Sequence, residues 1–161
     1  MNIFISHKQQ DDWIAKSVAE VLGSLKVDYY LDVLDDFIVE DGENLTKHIR
    51  EELNNCTDLI VIMSPNTRFS QWVPFEIGMA AQAYMPTASY LSAEVELPEF
   101  LEFWPRLKSK ADVARYVDTK QETFVDSVNK RGPVLESLDI VNRKRDLDRF
   151  YMTLKNRLKF S

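Results

Sequence analysis

Asp58-Leu59-Ile60-Val61-Ile62-Met63 sets five consecutive apolar residues behind one charge. Alternate side chains of a strand point to opposite faces, so such a run predicts a strand buried on both sides, the kind found in sheets covered by helices on two faces. Ile3-Phe4-Ile5 repeats the pattern near residue 1. Val27 to Asp32, aromatic and β-branched, reads as a further strand, and Ala88 to Val95 as a fourth.

The segments between them are helical in pattern. Ile14, Val18, Val21, Leu22 and Leu25 recur as one stripe from about Asp12, and Leu45, Ile49 and Leu53 mark a helix over roughly 44–55, with Asp41 or Asn44 as its cap. Ser70 is suited to cap a third helix, Gln71 to about Ala83, where Pro74 sits early enough to lose little hydrogen bonding. Leu97 to Leu101 reads as a turn or short helix, helical patterns return around 110–130, and Leu147, Phe150, Tyr151, Leu154 and Leu158 form the stripe of a terminal helix over 143–159. The polar face of that helix holds Arg143, Lys144, Arg145, Arg149, Lys155, Arg157 and Lys159, which reads as a solvated face rather than a nucleic-acid or membrane surface. The β-α-β-α-β order predicts an α/β fold, a parallel sheet with right-handed crossovers and helices on both faces.

Composition narrows the function. The 161 residues, 45% of them hydrophobic, suit one compact core, and only four glycines leave little room for low-complexity linkers. A net charge of -6 has the wrong sign for a surface that grips phosphate backbones, so no nucleic-acid partner is expected. The excess is uneven: residues 1–80 carry 6 Lys/Arg and 14 Asp/Glu, residues 81–161 carry 14 and 12. Much of the acidity sits in Val33 to Glu43, and its docking on the basic tail between protomers would make the oligomer salt-sensitive. The single cysteine, Cys56, excludes an internal disulfide and a cysteine-based metal cluster. With no apolar run of spanning length and no basic, apolar leader, the expectation is a cytoplasmic protein without a membrane partner. Gly-rich phosphate loops, HExxH and GxSxG are all absent from the sequence.

Ligands of such sheets bind beyond the carboxyl ends of the strands. Three segments arrive there: Ser6 to Asp12, the acidic loop 33–43, and Ser64 to Trp72. Glu76 stands out in the first turns of the helix that starts at that edge, where the helix amino terminus favours its ionised form, with Trp72 one turn before it on the same face. By residue type alone, an ordinary first-turn acid beside a half-buried Trp explains the pair as well. Ser6 and His7 are either ligand contacts or turn formers; His48 reads as a surface histidine and Cys56 as a buried thiol.

Taken in order, Phe4-Ile5-Ser6-His7, Asp12, the acidic loop ending Asp41-Gly42-Glu43, Leu45 and Ile49, Cys56 before Leu59 to Ser64, and Ser70-x-Trp72-x-x-x-Glu76 resemble the Toll/interleukin-1 receptor (TIR) domain family over roughly residues 1–105. The resemblance implies a flavodoxin-like three-layer sandwich, here a single TIR-like domain with a core at 1–105 and a helical C-terminal extension at 106–161. The family's fifth strand is not evident after residue 86. Enzymatic members cleave NAD+ at the nicotinamide–ribose bond, which implies Glu76 as the catalytic carboxylate and Ser6, His7, Trp72, Phe75 and Asp36 as substrate contacts. NAD+ is then the substrate, with no cofactor and no metal, and the product is ADP-ribose or a cyclic ADP-ribose isomer. Stand-alone bacterial (Thoeris-like) members imply self-association through TIR surfaces, a phage-derived trigger and a separate effector that reads the product. The run Phe75 to Ala83 is also similar to nucleoside deoxyribosyltransferases and related N-glycosidases, and some TIR domains are scaffolds without turnover.

Overall fold

The structure, a computed structural model, describes residues 1–31, 42–67, 70–92, 95–131 and 139–159. Five strands, β1 (Asn2–Ser6), β2 (Asp28–Leu31), β3 (Asp58–Met63), β4 (Thr87–Leu91) and β5 (Arg106–Leu107), form one parallel sheet in the order β2-β1-β3-β4-β5. The helices are α1 (Asp12–Ser24), α2 (Gly42–Asn55), α3 (Trp72–Gln82), α4 (Lys110–Arg131) and α5 (Asp139–Lys159).

The apolar run of β3 is explained by its central position. Ile60 and Ile62 face a core shared with Ile3 and Ile5, α1, α4 and α5, while Leu59, Val61 and Met63 face a second core with Phe4, α2 and α3. The segment after residue 105 is therefore part of the fold. Tyr116 and Val117 of α4 and Phe150, Tyr151 and Leu154 of α5 cover one face of the sheet, with the Tyr116 and Phe150 rings edge to face at 5.1 Å. The basic side of α5 is partly used inside the chain: Arg157 bonds Thr119 at 3.0 Å and pairs with Glu122, and the Lys155 ammonium donates to the Phe103 carbonyl.

α1 and α3 stop in the same way. Lys26 (φ 58°) and Tyr84 (φ 53°) adopt the left-handed conformation, and the next amides, Val27 and Met85, donate to Leu22 and Ala80 at 3.0 and 2.9 Å. This six-to-one closure satisfies carbonyls left open at the helix end and sends the chain straight into β2 and β4.

Some boundaries differ from the sequence expectations. β4 ends at Leu91, where the Ser92 amide turns onto the Met63 carbonyl (3.1 Å), instead of running to Val95. Asn44 lies inside α2, whose first residue is Gly42, rather than before its start; Asp41 and the rest of 32–41 lie outside the described residues. β5 does exist after residue 86, but its two residues are too few to show periodicity. Among the described residues, no helix is long and apolar enough to cross a membrane.

Candidate active site

The carboxyl ends of β1 and β3 feed the turns before α1 and α3, and the site is built there. Ser6 pairs in register with Val61, on the sheet face that looks toward α2 and α3. Its hydroxyl is buried and has no hydrogen-bond partner among the described residues. His7 follows, also buried, with Nδ1 3.3 Å from the Ile5 carbonyl and Nε2 3.7 Å from the Asp12 carboxylate.

α3 starts at Trp72, one residue later than expected, so Gln71 holds the cap position and Ser70, one residue before it, still bonds the helix start. Its Oγ accepts the amides of Trp72 and Val73 at 3.3 and 3.4 Å, two of the donors that a helix start leaves open. Val73, Ile77 and Ala80 bury the inner face of α3, and Glu76, 1% exposed, belongs to that face. Among the described residues it is the one buried glutamate. α3 begins at Trp72, so Glu76 is its fifth residue and stands in the second turn, where the helix dipole has faded. The dipole contributes less to its ionisation than the sequence suggested.

Trp72 is half buried beside Glu76, and its ring meets Phe75 edge on at 5.9 Å, with Phe75 itself 37% exposed. Trp72, one turn before Glu76, and Phe75, the residue before it, thus form an aromatic pair next to a buried glutamate on the same helix. Asp36 lies outside the described residues. His48 is exposed, as expected, and bonds the Tyr30 hydroxyl at 3.0 Å, tying α2 to β2. Cys56 is buried, and burial, with Glu52 and Asp58 nearby, pushes its thiol up to about 11, which leaves it protonated and unreactive at neutral pH. No group of His, Cys, Asp and Glu among the described residues is arranged to hold a metal ion.

Sequence reasoning missed Asp11. Its carboxylate is buried and accepts bonds from the side chains of Ser64, Thr67 (2.7 Å) and Asn66 (2.9 Å), joining the turn after β1 to the turn after β3. The pair Asp11-Asp12 resembles an ordinary helix start, and only the facing Ser64-x-Asn66-Thr67 hinted at a partner.

Asp12 turns outward to Lys16 at 2.6 Å. The Lys16 hydrogen bond, against slight desolvation and helped by His7, holds its carboxyl below the usual 3.8. A folded value below the unfolded one gives stability that is present above the unfolded pKa and lost as pH falls through the folded value. Asp12→Asn is expected to be less stable than wild type in urea at neutral pH, by a few tenths of a kcal/mol because Lys16 is exposed and the pair screened, and the difference should vanish by about pH 2.

Comparison with known proteins follows the same lines. A family model described as "TIR domain" matches residues 3–128. A solved structure, the TIR domain of the Toll-related Receptor TRR-2 from the lower metazoan Hydra magnipapillata, is similar over 77% of this chain and 95% of that one, with a TM-score of 0.56 and 16% sequence identity. A search of curated proteins finds no match. At that identity the structural likeness speaks for the fold alone.

Proposed function

The chain belongs to the TIR domain family, and from that premise we propose that it is an NAD+-cleaving enzyme whose reacting carboxylate is Glu76. The observation that carries the proposal is the burial of Glu76. A glutamate placed only to complement a helix end stays in water, whereas enclosing a carboxylate costs several kcal/mol unless hydrogen bonds or charges offset it, and enclosed ionisable groups in a cleft collect at functional sites. Here it lies at the carboxyl edge of a parallel sheet, where ligands of such folds bind, with Trp72 and Phe75 beside it.

The chemistry needs little else. Nicotinamide leaves a cationic sugar as a neutral group, so no general acid is required, and an ionised carboxylate near the anomeric carbon stabilises the oxocarbenium-like transition state or traps it. Water then gives ADP-ribose; a group of the substrate itself, held over the cation with water excluded, gives a cyclic isomer. In this proposal NAD+ is substrate, no cofactor takes part, and Ser6 and His7 are substrate contacts at the same edge. Self-association, a phage-derived trigger and a separate effector that reads the product complete the proposed setting, in the cytoplasm of a bacterial cell.

The test is direct. The purified chain at high concentration, with a crowding agent, is incubated with NAD+, and nicotinamide and the ribosyl products are resolved by chromatography. Release of nicotinamide is the expected result. No release under these conditions overturns the enzymatic proposal in favour of a scaffold, and cleavage confined to a parallel panel of deoxynucleosides points instead to deoxyribosyltransferase-like chemistry.

A further inference from the structure

We propose that Asp11 is a positioning residue for Glu76, clamping the turn after β1 onto the connection from β3 and so fixing where α3 begins. The inference rests on Glu76 as the reacting carboxylate. Every link of the path is a hydrogen bond of the structure.

Ser64 Oγ accepts the amides of Asn66 (2.9 Å) and Thr67 (3.2 Å). With its lone pairs so occupied, its proton is directed to Asp11 Oδ2, which also accepts the Thr67 hydroxyl at 2.7 Å, while Oδ1 takes the Asn66 amide group at 2.9 Å. The Thr67 carbonyl in turn accepts the Ser70 amide at 2.9 Å, and Ser70 Oγ accepts the amides that open α3 at Trp72 and Val73. Glu76 stands one turn further on.

Three donors converge on one buried carboxylate, and bonds to an ionised acceptor are roughly twice as strong as neutral ones. That strength is applied to the start of the β3–α3 connection, at Ser64, Asn66 and Thr67, where a small rotation would swing α3 and with it the Glu76 carboxylate. Asp11 itself is directed at the connection and reaches the reaction only through it. A displacement of about 1 Å at a reacting group can cost on the order of a hundredfold in rate.

The experiment compares Asp11→Ala, Asp11→Asn and Thr67→Val with Tyr151→Phe in the full chain. Tyr151 accepts the Thr87 amide at 2.8 Å at the start of β4, the opposite edge of the sheet, so its loss lowers stability away from the site. Hydrogen exchange of the amides in 72–76 and kcat and KM for nicotinamide release are measured for each.

For Asp11→Ala, exchange in 72–76 is expected to rise about tenfold and kcat to fall by about 10- to 100-fold, with KM within about threefold of wild type. Asp11→Asn should recover part of both, because its amide oxygen still accepts the two hydroxyls. Tyr151→Phe should lower Tm and change neither. If Asp11→Ala does not fold, Thr67→Val, which removes a single donor, carries the same two readouts. A lower Tm with exchange in 72–76 and kcat unchanged, the pattern expected of Tyr151→Phe, overturns the proposal and leaves Asp11 a purely structural residue. Should wild type release no nicotinamide, it is the role of Glu76 that falls, and exchange in 72–76 alone upholds or overturns the clamp.

Discussion

Glu76→Gln is expected to lower nicotinamide release by about a thousandfold or more while leaving the protein folded. The amide keeps the size and shape of the side chain but cannot offset the positive charge that develops at the anomeric carbon, and single preorganised electrostatic contacts of this kind are worth about 10²–10³-fold, with reacting groups worth more. Stability should change little. The amide matches the carboxylate in size and shape at a site that is 1% exposed, so Tm should stay within a few degrees of wild type, which separates loss of chemistry from loss of fold. Thermal melts together with chromatographic rates measure both. Release within about tenfold of wild type would remove Glu76 from the reaction.

The second large effect lies at the other end of the sheet. Asp58 begins β3 and is 0% exposed; it accepts the Tyr116 hydroxyl at 2.8 Å and the Thr57 hydroxyl at 2.6 Å, and pairs with the Lys120 ammonium at 2.7 Å. Lys120 also stands over the Phe150 ring, 5.5 Å from its centre. Burial, followed by the Asp58 charge, pushes the Tyr116 hydroxyl well above its ordinary range, so it stays a donor. Lys120→Met would strip the cation from a carboxylate that cannot reach water. Breaking a buried pair from one side costs about 3–5 kcal/mol, which for a chain of this size corresponds to a Tm lower by about 10 °C. Adding Asp58→Asn to Lys120→Met should restore a good part of that loss, and kcat per folded molecule should be unchanged in both. A fall in Tm of less than about 3 °C would show that Tyr116 and Thr57 alone satisfy Asp58.

These two carboxylates show how unevenly the site and the fold were legible. Glu76 was visible because its signal is local: a helix start after the strongest strand, an aromatic residue one turn earlier, and the order of motifs that the family match over residues 3–128 later supported. Asp58 was visible only as the charge before an apolar run, because Lys120 is 62 residues away and nothing in the spacing links them. Asp11 is harder still. It and Asp12 are neighbours of one type, yet one turns in to partners 53 to 56 residues away and the other turns out to Lys16 four residues on. Identical residues at adjacent positions acquire opposite roles when the backbone aims one toward the sheet edge and the other toward solvent.

The two-residue β5 was hidden for a related reason. A strand held by its β4 register, Ser89 to Arg106 and Tyr90 to Leu107, has too little sequence of its own to announce it. The tail was legible as helices and not as structure that the sheet requires.

The sequence by itself determined the layered architecture, since a run such as Leu59 to Met63 can be buried only between two layers of helices, and periodicities within ten or fifteen residues report which faces those helices bury. What the tertiary structure decided is which distant groups meet. The pairing of Asp11 with Ser64, Asn66 and Thr67, of Asp58 with Lys120, and the closure of one sheet face by α4 and α5 depend on strand order and crossover geometry, and hydrogen bonds between residues far apart in sequence leave no periodic trace along it.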